Sequence, residues 1–173
     1  MNRLGAMTRT DGYVSLTFSP RCARRDSAGR QARPAFVTPD TRAVVGPRLV
    51  TAEGLAVDAY MHLKVAADYD VIPGTISGGD LFRAESAAAI AVALLVLVRP
   101  GRVAYLLAFL VAASALGAVM LYTNVDVGTL GPLPDLYEPV WFTEKTVSAI
   151  AEAVAAGAAA VGFVFEVLRR RGT

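Results

Sequence analysis

Four ionisable residues stand among apolar neighbours and are the places where this sequence could do chemistry: Asp58, His62, Glu85 and Glu152. Asp58 and His62 are four residues apart and share one face of a helix. Ionisable groups inside a bilayer are costly, so each is a site hypothesis in need of a partner. Three carboxylates meeting one imidazole in a shared layer would make a proton-binding site or a site for a small polar ligand. The plainer alternative is a polar cluster that only pins the first helix into its bundle.

Most other chemistry is excluded by what the chain lacks. Its single cysteine, Cys22, rules out an internal disulfide, a CxxC redox pair and a Cys-based zinc site. With His62 as the single histidine, one chain holds neither a bis-His haem nor a His-rich metal centre. There is no GxxxxGK[ST] or GxGxxG phosphate loop and no nucleophile–base pair. No catalytic residue, cofactor or metal is therefore expected, and an enzyme is the disfavoured reading.

The elements that must position the four residues are membrane helices. Apolar residues make up 54% of 173 and charged residues 18%, with a mean hydropathy of +0.46; soluble domains carry about 25% charge. Val103–Tyr122 is twenty residues without a charge, about 30 Å of helix and the thickness of the hydrocarbon core. Thr146–Phe165 carries only Glu152, and Leu81–Val98 confines Arg83 and Glu85 to its first turns. A backbone in lipid satisfies its own hydrogen bonds, so these segments are helices.

A fourth candidate, Val44–Ala67, is apolar in outline but carries Arg48, Glu53, Asp58, His62 and Lys64. Charge placement decides it. The link Arg99–Arg102 and the end Arg169–Arg171 are basic, whereas Asp68–Asp80 and Asn124–Phe142 carry acids and no base. Under the positive-inside rule the basic segments are cytoplasmic. Only if 44–67 crosses does the Arg-rich N-terminal tail join them. The expected fold is therefore all-α: a four-helix transmembrane bundle over 44–168 (helices about 44–67, 81–98, 103–123 and 145–168), with a disordered basic tail at 1–43 and a basic end at 169–173. Both termini are expected to be cytoplasmic, in a multi-pass plasma-membrane protein. If the first helix ends near Ala67, a rise of about 1.5 Å per residue puts His62 roughly 7 Å and Asp58 roughly 13 Å below the outer surface, with Glu85 roughly 7 Å and Glu152 roughly 10 Å down their own helices. All four then meet in the outer half of the bundle.

Other residues take supporting parts. Tyr60, Tyr69, Phe82, Tyr122, Trp141 and Phe142 read as an outer interfacial belt, with Tyr105 as its inner counterpart. The small-residue pairs Ala113/Gly117, Ala153/Gly157 and Ala158/Gly162 read as packing faces, for use within the bundle or in a homodimer. The short Arg99–Arg102 link makes the second and third helices antiparallel neighbours. Prolines 132, 134 and 139 make 128–142 a stiff loop, read as a rigid connector in preference to a cap. Glu53 is expected to pair with Arg48 or Arg102, Lys64 and Arg83 to snorkel or to meet Asp68 and Asp80, and Glu166 to pair with Arg169 and Arg170. The tail at 1–43 carries eight arginines and no apolar periodicity; it cannot bury enough surface to offset its ordering entropy. A native start near Val44 is a second reading of this stretch.

Three runs, HLKVAADYD (62–70), GGDLFRAESAAAIAVALLVLV (78–98) and LGPLPDLYEPVWFTEKTVSAIAEAVAA (130–156), resemble small four-helix membrane proteins of the actinobacterial type, DoxX-like in outline. In that group the first helix ends in a His-Leu pair and the second opens on Leu-Phe, matched here by His62-Leu63 and Leu81-Phe82. The resemblance covers about 44–168 and implies four spans in the plasma membrane, without implying a reaction. Two functions are then expected: first, a non-enzymatic accessory or structural component of the membrane, alone, as a homo-oligomer or in a larger complex; second, a small proton-linked transporter or redox-associated protein working through the four-residue cluster. The partner in either case is the lipid bilayer, not nucleic acid.

Overall fold

The structure is a computed structural model that describes residues 41–72 and 75–171, with side chains from residue 45. Of the expected disordered tail, 1–40 lies outside the described residues, while Thr41, Arg42 and Ala43 belong to α1, which starts three residues earlier than expected. The described residues form four helices: α1 (Thr41–Val65), α2 (Gly78–Val98), α3 (Arg102–Asn124) and α4 (Thr143–Arg171). Among the described residues there is no strand, only a bridge between Leu130 and Leu133. Three helices, α2, α3 and α4, are long and apolar enough to cross a membrane, which places the protein in one.

The helix ends follow local chemistry and correct the expected bounds. α1 runs through Pro47, which near a helix start costs one backbone hydrogen bond. It closes at Val65, two residues early, as Asp68, Tyr69 and Asp70 turn back onto the carbonyls of Val65, Ala66 and Ala67. α2 starts at Gly78 instead of Leu81 because the Ser77 hydroxyl accepts from the Asp80 amide at 3.0 Å. Gly79 is required there: a Cβ would collide with the Ala66 carbonyl and the Asp70 carboxylate. At the far end, Arg169–Arg171 are not a separate tail but the last turn of α4, where cations suit the helix dipole.

Packing is carried by small residues, since lipid supplies no hydrophobic drive between helices. Ala59, Ala89, Ala108, Ala112, Ala155 and Ala159 are almost fully buried, with Leu55, Val96 and Tyr105 among them. Gly54 of α1 lies against α4 so closely that a Cβ would stand 2.8 Å from that of Ala155. α1 packs most extensively on α4 and α2, and α3 on α4. The α2–α3 seam is thinner despite the short link between them. Gly117 and Gly157 face open space, so two of the expected small-residue pairs leave their glycine outside the bundle; Gly162 is used, under the ring of Tyr105. Tyr105 is correspondingly no interfacial anchor but a core wedge, 2% exposed.

Charges at the helix ends also differ from expectation. Glu53 is exposed and pairs with neither Arg48 nor Arg102; Arg48 donates to the Leu97 carbonyl of α2. Lys64 pairs with Glu144 of α4 at 2.8 Å, and Arg83 with Asp70 at 2.7 Å and Asp80 at 3.3 Å. Glu166 meets Arg169 at 3.2 Å as expected.

The Arg83 guanidinium bonded to Asp70 holds that carboxyl below its ordinary value. A depressed carboxylate stabilises the folded loop above its ordinary pKa and loses that contribution as the pH falls through the lowered one. Pepsin cleavage within 66–77 is therefore expected to rise as Asp70 protonates. In the Arg83→Ala protein the rise should come at a higher pH; identical profiles would remove any part for the pair in holding the loop.

Candidate functional site

The cluster is built from three helices. On α1, Thr51, Leu55, Asp58 and His62 follow one another on the inward face, all buried. Asp58 is fully buried and its Oδ1 lies 2.8 Å from His62 Nδ1. α4 brings Ser148 and Glu152, one turn apart and both buried. The Ser148 hydroxyl lies 2.6 Å from Asp58 Oδ1, 3.0 Å from Glu152 Oε1 and 3.4 Å from His62 Nδ1. With one proton to donate, it ties the acids of the two helices through a single oxygen. α2 contributes Glu85, which lines the same cavity as His62 and Ser148. The Ser86 hydroxyl beside it is shared between the Phe82 carbonyl of its own helix at 2.7 Å and the Ala59 carbonyl of α1 at 3.1 Å, linking α2 to α1.

The structure thus brings Asp58, His62, Glu85 and Glu152 to one place. One ligand atom from each of Asp58, His62 and Glu152 falls within 4.8 Å of the others. The assembly is not self-satisfied. Asp58 Oδ2, Glu152 Oε2 and both oxygens of Glu85 are buried with no hydrogen-bond partner, as is the Thr51 hydroxyl. Buried polar atoms are nearly always paired, so such a concentration calls for a physical reason.

Above the cluster lies a cavity of about 350 Å³, enough for a small molecule. Its walls include Leu81, Phe82, Ala115, Val119, Leu133 and Leu136, and its floor is His62, Glu85 and Ser148. Asp58 and Glu152 stand behind that floor. The Phe82 ring meets His62 edge-on at 5.1 Å and Tyr69 at 4.6 Å, closing one side. The proline loop does more than connect. Ile76 donates to the Pro132 carbonyl and Glu138 to that of Tyr122, Pro134 is fully buried, and Leu133 and Leu136 face the cavity. It is a lid in shape, and Glu138, Glu144 and Lys145 lie at its rim.

Ser148 and Thr51 were not singled out from the sequence. The spacing that marks Ser148 was there, four residues before Glu152, but a hydroxyl in an Ala-rich helix commonly bonds its own backbone. No protein-family model, no curated protein and no solved structure matches the chain.

Proposed function

We propose that this chain is a four-span plasma-membrane protein that takes up a small cation from the outer side, through the lidded cavity and onto the acidic floor. The observation that carries this reading is the convergence of three carboxylates on one imidazole, with four carboxylate oxygens unpartnered, beneath an apolar vestibule. An anion would meet three acids there; a neutral apolar solute would leave them unpaired.

The fourth span rests on how α1 is turned. Its buried face holds Thr51, Asp58 and His62, while Val45, Leu49, Val50, Val57, Tyr60 and Leu63 point outward. Apart from Glu53 on the outward face and Lys64 near the end, the polar groups of α1 face its neighbours, so most of its outer surface is apolar although its average composition is not. With α1 crossing, the Arg-rich links lie inside and the lidded end outside. A cation-transporting or cation-sensing role fits this arrangement better than that of a passive accessory component, in which the cluster only anchors α1.

Accessibility separates these readings. In a Cys22→Ser background, Ala118→Cys places one thiol on the cavity wall. In intact cells a methanethiosulfonate carrying trimethylammonium should label it at least about tenfold faster than one carrying sulfonate, since an acidic cleft concentrates cations. Equal rates would reject a cation site, and no labelling by either would reject an outward-facing cavity.

A further inference from the structure

Resting on that cation-site reading and naming the class of ion, we propose that Asp58, His62 and Glu152 bind one divalent transition-metal ion at the base of the cavity, with Glu85 as a fourth donor.

Three independent features point there. The first is the donor set. One imidazole and two or three carboxylates are a mixed nitrogen–oxygen shell, suited to manganese, iron, cobalt or zinc; calcium and magnesium take oxygen alone. Helix bundles are an established setting for such sites, built from inward-facing acids and histidines.

The second is geometry. Ligands about 2.0–2.2 Å from a shared ion stand up to about 4.3 Å apart. Pairs at tetrahedral angles stand about 3.3–3.6 Å apart; the atoms of Asp58, His62 and Glu152 already lie within 4.8 Å of one another, so side-chain adjustments of about an ångström close the shell. Asp58 and His62 sit one turn apart on α1, and Glu152 comes from the facing turn of α4, so the donors need no backbone movement.

The third is the state of the free oxygens. Asp58 and Glu152 are both 0% exposed, yet Asp58 Oδ2 and Glu152 Oε2 have no partner. Each acid uses one oxygen on Ser148 and leaves the other unpartnered. Ser148 therefore acts as an outer support: its single proton is placed to orient one or the other carboxylate, as ligating carboxylates are commonly held. A divalent ion would also offset two of the three carboxylate charges in a setting that penalises them. The cavity supplies the route, opening onto His62 and Glu85.

His62 is the single histidine of the chain, which makes the test unusually direct. Full-length protein in detergent, stripped with chelator, is loaded with Zn²⁺, dialysed and assayed for metal by mass spectrometry. Protein labelled with ¹⁵N in the histidine ring gives one pair of ring-nitrogen signals. One zinc per chain is expected, with a ring nitrogen of His62 shifting on loading. Glu152→Gln should weaken retention at least about tenfold, whereas Glu53→Gln on the exposed face of α1 should leave it unchanged. If Glu152→Gln does not fold, the wild-type ring signals still decide. Absence of retained zinc, or unmoved His62 signals at full loading, overturns the proposal. Equal retention by the Glu152→Gln protein also overturns it. Charge-selective labelling at Ala118→Cys without zinc retention rejects the metal and leaves the cation cavity standing. Zinc bound at His62 without charge-selective labelling rejects the cavity as its route.

Discussion

An Asp58→Ala protein is expected to unfold with about 2–4 kcal/mol less free energy than the native chain, in metal-free detergent. Asp58 Oδ1 is the atom on which His62 and the Ser148 hydroxyl converge. Truncation to a methyl takes that acceptor away and leaves the imidazole facing Glu152 and Ser148 from a buried position. A buried polar group deprived of a charged partner incurs much of its desolvation cost, and the imidazole keeps the backbone carbonyl of residue 58, 3.2 Å from Nδ1, as a weaker one. Some relief comes from Ser148, which keeps its bond to Glu152. Unfolding can be followed by the fluorescence of the single tryptophan, Trp141, together with helical circular dichroism. Glu53→Ala, on the exposed face of the same helix, serves as reference and should shift stability by no more than about 0.5 kcal/mol. If the two variants unfold alike, the cluster does not hold α1 in place, whatever it binds.

The second large effect lies at the opposite end of the bundle. The Tyr105 ring of α3 covers Gly162 of α4 and is 2% exposed, so it fills the space that a side chain at 162 would need. Tyr105→Ala removes that ring from a packed core and is expected to cost about 3–5 kcal/mol. Gly162→Val drives two methyls into the ring and is expected to cost about 1–3 kcal/mol. In the double variant the valine occupies part of the vacated space. Its loss should therefore fall short of the sum of the single losses by about 0.5–3 kcal/mol, the range for residues in direct contact. Strict additivity would mean that the ring and the glycine do not pack as described. Because this contact belongs to the α3–α4 seam, the cycle also measures how firmly α3 is held there.

What was legible beforehand sorts by physical cause. Helices α2, α3 and α4 could be read directly, because a span must be about twenty apolar residues long and the Arg99–Arg102 link separates the first two of them. Their ends moved by up to three residues where a cap or a favourable charge extended the last turn, as at Gly78 and Arg171. The four ionisable residues were legible because isolated charge in apolar sequence is rare and expensive. Spacing put Asp58 over His62, and helix depth put Glu85 and Glu152 at a similar level.

Other features belong to no single segment. The role of Tyr105 depended on a glycine 57 positions away in another helix, and an aromatic residue near a helix start looks the same whether it anchors or wedges. Lys64 found Glu144 instead of Asp68, and Arg48 found a carbonyl instead of Glu53. Ser148 became the hinge of the cluster only because the close α1–α4 approach at Gly54 leaves room for one hydroxyl between two acids.

Composition and periodicity by themselves determined that this chain enters a membrane as helices and which residues bring charge into it, since length and transfer cost are local properties. Only the tertiary structure decided which way each helix turns, that the proline loop roofs a cavity, and which carboxylate oxygens are left without partners. Those outcomes depend on distances of a few ångströms between segments far apart in the chain, and small-residue packing sets such distances collectively.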